Sequence, residues 1–104
     1  MTATAETLPD CCQAALRVLD RVLDEPPDRM TGDLPEAVRG IVCVRDWLIE
    51  RRRRDPDAAE VKERLERTNS ILSVVTGGEY PLVGIRRQRI VEARDALRQL
   101  ESSL

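Results

Sequence analysis

Cysteine, carboxylate and arginine are the residue types here that could do chemistry. Cys11 and Cys12 are adjacent, and Cys43 is a third thiol farther along; such a set could bind a soft metal or respond to oxidation. Neighbouring residues on a helix diverge by about 100°, a poor geometry for one metal unless Cys43 supplies a further ligand. The favoured expectation is that Cys11 and Cys12 flank a buried helix edge while Cys43 packs on a second helix, as small apolar residues do. No metal and no cofactor are expected.

Glu60, Glu63 and Glu66 recur every three residues, a spacing that on a helix could gather carboxylates around Mg²⁺. They alternate with Lys62, Arg64 and Arg67, so Glu60–Arg64 and Glu63–Arg67 become favourable i, i+4 pairs on a solvated face. The chain has no histidine, which removes the usual general base and the commonest metal ligand and argues against an enzyme.

Anion binding is the remaining chemistry. Arg51, Arg52, Arg53 and Arg54 form the sharpest run of charge, and Arg86, Arg87 and Arg89 form a second cluster. Arg51 to Arg54 also suit the negative end of a helix dipole. Gly77-Gly78 and Gly84 ahead of Arg86 invite comparison with a phosphate cradle, but the spacing fits no phosphate loop and no strand precedes it, so a turn is expected. The candidate patch for an anion or acidic partner is therefore Arg51 to Arg54 with Arg87 and Arg89.

These residues must be positioned by helices. From Asp55 onward the chain reads as an antiparallel hairpin bent at Thr76 to Pro81. The first arm repeats Ala58, Val61, Leu65, Thr68, Leu72 and Val75, broadened by Ile71 and Val74, a three-four alternation that keeps one seam on one face. Asp55 is the expected N-cap with Pro56 in the first turn, and Gly77 or Gly78 the expected left-handed stop. The second arm repeats Val83, Ile90, Ala93, Leu97, Leu100 and Leu104, with Arg86 where the seam calls for an apolar residue. Its stem is expected along the seam and its guanidinium in solvent or on a carboxylate.

Ahead of the hairpin, residues 1–6 should be disordered. Thr7 and Asp10 make a capping box for a helix with an apolar face from Leu8 to Leu23. Pro26 to Gly32 reads as a linker. A second helix follows a cap at Asp33, and its apolar positions, Leu34, Ala37, Val38, Ile41, Val42, Val44, Leu48 and Ile49, are too many for a narrow stripe. Gly40 in its middle costs about 1 kcal/mol relative to alanine, which close approach of a neighbouring helix would offset. The expectation is an all-α fold, a four-helix up-down bundle built around the C-terminal hairpin, with helices near 8–25, 34–54, 56–76 and 82–103 in one domain spanning 7–104.

Apolar residues make up 41% of the 104, enough for a core without staples, and with no Phe that core must be aliphatic. The 17 basic residues against 19 acidic ones, net −2, describe a salt-bridge-laced surface rather than a polyanion binder. No apolar run reaches the roughly 20 residues that span a bilayer, and the amino terminus lacks an export signal. With no such signal, a cytoplasmic location is expected, where the cysteines remain thiols.

The leading expectation for function is a small cytoplasmic module working through protein contacts, as an adaptor, chaperone-like or regulatory protein, and associating as a homodimer. Surplus apolar face without catalytic residues motivates it. Trp47, Tyr80, Pro81, Leu82, Val83, Ile85 and Arg86 are its candidate contact residues. The alternatives are a nucleic-acid-binding accessory using both Arg clusters and a small enzyme with an Arg-lined anion pocket; acidic net charge and scarce aromatics count against nucleic acid.

Overall fold

The first helix opens on the reciprocal cap its sequence encodes. The Thr7 backbone N–H donates to Asp10 Oδ2 at 3.4 Å, and the Asp10 N–H donates to Thr7 Oγ1 at 3.3 Å, so two amides that the helix itself cannot satisfy are paired. A computed structural model describes residues 7–24, 34–77 and 83–103. Over those residues the chain forms α1 (Leu8–Asp24), α2 (Leu34–Arg54), α3 (Ala59–Thr76) and α4 (Gly84–Ser102). The fold is all-α, a four-helix bundle whose C-terminal pair is the α3–α4 hairpin.

Neighbours in the ring are α1–α2, α2–α3, α3–α4 and α4–α1. Side-chain contacts fix their directions. Arg21 near the end of α1 meets Glu36 near the start of α2 at 3.0 Å. Arg64 early in α3 donates to the carbonyl of Ser103, just past α4, at 2.6 Å. Arg87 at the start of α4 donates to the Leu23 carbonyl at the end of α1 at 3.1 Å. Each adjacent pair therefore runs antiparallel, the arrangement that short connections favour.

The core is aliphatic. Leu19, Ile41, Leu48, Ile90, Leu97 and Leu100 are fully buried, one or more from each of α1, α2 and α4, and α3 adds Val61, Leu65, Ile71 and Val75. Thr68, the polar member of the α3 seam, is also fully buried, and its hydroxyl donates to the Arg64 carbonyl one turn back at 2.8 Å. The hydroxyl is thus buried with a partner rather than without one.

Helices α1 and α2 approach closely at Gly40. A Cβ on Gly40 would lie 2.9 Å from Ala15 Cβ and 3.2 Å from the Ala15 backbone. This is the compensation expected for a glycine in a helix interior: two small residues let the backbones meet.

Several boundaries differ from expectation. The third helix starts at Ala59 with Ala58 as N-cap and no side-chain cap, not at Pro56 with Asp55 as cap. Asp55 is instead spent on the reversal. Its N–H donates to the Arg51 carbonyl at 3.0 Å, ending α2, and its own carbonyl accepts from the Ala58 N–H at 3.2 Å. Asp at the first and Pro at the second position of such a four-residue turn are the types it favours. Gly77 closes α3 with φ −87°, so the left-handed conformation does not fall on it. Among the described residues it falls on Gly84, at φ +58°, and α4 begins there rather than at 82.

Within the seams, Ile71 rather than Leu72 is fully engaged, and Ala58 and Leu72 are half-buried. Val83 lies off the α4 seam at 41% exposure. The N-terminal six residues, the Pro26–Gly32 linker, the Asp33 cap, Gly78 and Leu104 lie outside the described residues.

Candidate functional site

The thiols depart most from expectation. Cys11 and Cys43 form a disulfide between α1 and α2, with Cα atoms 5.9 Å apart, within the range such a bond requires. Helix periodicity explains the encounter. Cys11 lies one turn before Ala15 and Cys43 one turn after Gly40, so in an antiparallel pair pinned at Ala15–Gly40 the two cysteines fall opposite each other. The pairing was hidden because sequence places Gly40 on a helix without naming the residue it faces.

Cys12 is a free thiol with no exposed surface. Burial pushes its pKa up to about 11, and the Glu101 carboxylate adds to the shift. A thiol held neutral and covered is neither nucleophile nor ligand at ordinary pH. Among the described residues no group of three or more Cys, Asp or Glu side chains could hold a metal ion. Of the carboxylates on α3, Glu63 pairs with Arg67 as the spacing expects, whereas Arg64 turns to the Ser103 carbonyl instead of Glu60.

The two arginine clusters lie at opposite ends of the bundle. Arg51 to Arg54 form the last turn of α2, at the end that holds the amino termini of α1 and α3. Arg86, Arg87 and Arg89 open α4 at the other end. Arg87 is engaged there by the Leu23 carbonyl, where it satisfies an acceptor in the last turn of α1. Arg86 is exposed, not inward, because the buried stripe of α4 begins one turn later at Ile90. No inward Arg86 is therefore present to line an anion pocket. Arg89 is exposed as well.

The expected contact residues are divided in the same way. Trp47 is 39% exposed near the carboxyl end of α2, while Val83 and Ile85, 41% and 75% exposed, stand at the start of α4. Tyr80, Pro81 and Leu82 lie outside the described residues. Trp47 and the Val83–Ile85 pair are thus two surfaces, not one.

The end of α2 has the more developed geometry. Trp47 forms one wall of a surface cavity of about 370 Å³ whose other walls include Leu8, Pro9, Arg51 and Arg54. On the other flank of α2, Ile49, Pro56 and Leu65 floor a second depression of about 350 Å³ rimmed by Arg52 and Arg53. The four-arginine run is therefore split by helix periodicity into two pairs, each beside an apolar floor. Sequence reasoning found both the run and Trp47 but treated them separately; the i, i+4, i+7 relation of Trp47, Arg51 and Arg54 is the signal that links them.

No helix among the described residues is long and apolar enough to cross a membrane. Searches against protein-family models, curated proteins and solved structures found no match.

Proposed function

We propose that this chain is a small interaction module that works through protein contacts and associates with itself as a dimer. The observation behind it is that a folded aliphatic core leaves three large apolar side chains, Trp47, Val83 and Ile85, well exposed among the described residues. Ile85, the most exposed of them, gains most from being covered. Self-association is assigned to the start of α4, where Ile85 stands two residues from Val83.

A cytoplasmic location belongs to the same proposal. The Cys11–Cys43 disulfide bears in the opposite sense, since persistent disulfides belong to oxidising compartments. Thiol trapping in intact source cells decides the point.

Light scattering over a dilution series tests the dimer. A dimer that dissociates on dilution, and that Ile85→Glu converts to monomer without loss of helical content, is the expected result. A monomer at high micromolar concentration removes self-association.

A further inference from the structure

The end of α2 carries a more specific inference, which rests on the interaction-module proposal. Trp47, Glu50, Arg51 and Arg54 lie on one face of the helix, at i, i+3, i+4 and i+7, and line the same cavity of about 370 Å³ together with Leu8 and Pro9 of α1, so one carboxylate stands there against two guanidinium groups. An apolar wall with two guanidinium groups at its rim is a fixed combination: it can bury an aliphatic or aromatic side chain while pairing with carboxylates on either side of it.

The charge there is incompletely matched within the molecule. Among the described residues neither Arg51 nor Arg52 has an ion pair; Arg53 and Arg54 share Glu50 at 3.8 and 3.9 Å, the long limit of such contacts. Of the nearby carboxylates, Glu50 lines the Trp47 cavity, while Asp55 and Asp57 in the turn line neither depression. Arg52 and Arg53 rim the second depression on the opposite flank, so positive charge brackets the end of α2 from both sides.

We propose that this face is the docking site for an acidic peptide segment of a partner protein, with one apolar side chain seated beside Trp47 and neighbouring carboxylates on Arg51 and Arg54. Aromatic and arginine side chains together are the composition that concentrates binding energy at interfaces. Carboxylates are the matching partner for exposed guanidinium groups because the pairing is bidentate and because wrong-sign partners are rejected.

The probe is a short acetylated and amidated peptide in which two leucines are flanked by aspartates and glutamates. It is titrated into the full chain at low and high salt, with Trp47 emission and calorimetry as independent readouts. Three comparators are run beside it: the same peptide with serine for leucine, the same peptide with amides for acids, and a single-stranded DNA oligonucleotide. Light scattering on the same samples reports self-association separately.

The expected result is saturable binding of the acidic leucine peptide with a blue shift of Trp47 emission, weakened by salt and absent with both altered peptides. Replacing Arg51 and Arg54 together by Ser should weaken it about tenfold, each exposed pair being worth up to about 1 kcal/mol. Arg89→Ser, at the other end of the bundle, should leave it unchanged. No binding in either readout, equal binding of the serine peptide or the oligonucleotide, or indifference to the Arg51 and Arg54 replacement would overturn the proposal. A chain that dimerises yet ignores the peptide keeps the interaction module and loses this site; one that does neither loses both.

Discussion

Gly40 occupies a helix interior where alanine would be favoured by about 1 kcal/mol, yet a Cβ there would lie 2.9 Å from Ala15 Cβ. The contact falls on a short side chain and its backbone, which cannot swing aside. Gly40→Ala should therefore destabilise the fold by about 1–3 kcal/mol despite its better propensity. Adding Ala15→Gly removes the 2.9 Å contact but leaves those of 3.2 Å to the Ala15 backbone, so the double variant should lose less than the sum of the two single variants. Urea unfolding of both single variants and the double variant measures the coupling, and strictly additive effects would show that the close approach is not the cause.

Cys12 makes a second residue-scale case. Its folded pKa is raised from an ordinary 9.0 to about 11, so between these values the unfolded chain gives up the proton while the folded chain keeps it. The unfolded state then binds fewer protons, and stability falls as pH rises through that window, by up to about 2–3 kcal/mol. Below it Cys12 contributes no pH dependence. Denaturant unfolding of wild type and Cys12→Ala from pH about 8 to 11 should show a steeper decline in wild type; parallel curves would place the thiol outside the buried core.

At the scale of elements, α1 is held by different chemistry on its two flanks. Toward α2 it is joined by small-residue contact, the Arg21–Glu36 ion pair and the Cys11–Cys43 disulfide, which closes a 32-residue separation and is the covalent tie that the other flank lacks. Toward α4 it is joined by polar ties, Asp20 meeting Arg94 at 3.3 Å and Arg98 at 2.9 Å, with Arg87 on the Leu23 carbonyl. Loop-closure entropy makes the covalent tie worth about 3–4 kcal/mol. Cys43→Ser should lower stability by about that amount, and reductant should lower wild type to the same level without affecting the variant.

Asp20 is partly solvated, with 43% of its side chain exposed, so Asp20→Ala should cost only about 1 kcal/mol and the difference should shrink in high salt. A salt-independent loss would mean that packing, not charge, is what Asp20 supplies. The capping box of α1 was legible from Thr7 and Asp10 because both partners sit within one turn. The start of α3 is not legible locally because Asp55-Pro56 suits a helix cap and a reverse turn equally well, and the choice rests with the backbone bonds to Arg51 and Ala58.

For the whole molecule, antiparallel order separates the two arginine clusters and the two exposed apolar sites. Changes at Arg51 and Arg54 should therefore leave dimerisation unaltered, and Ile85→Glu should leave peptide binding unaltered. Groups this far apart without shared partners behave independently. Light scattering and calorimetry on the combined variant test it; a joint effect larger than the separate ones would place both events on one surface.

Helix number, the aliphatic core and most of the buried faces followed from the sequence alone, because helix periodicity and turn chemistry act over a few residues. Even the close neighbour of Gly40 was foreseeable, though not its identity. What only the tertiary structure decided was which faces meet: Ala15 with Gly40, hence Cys11 with Cys43; Arg87 with the Leu23 carbonyl; and Trp47 with Arg51, Arg54 and the first turn of α1 around one cavity. These pairings join residues far apart in the chain, and their register is set by side-chain volumes at the helix crossings, which local sequence patterns do not encode.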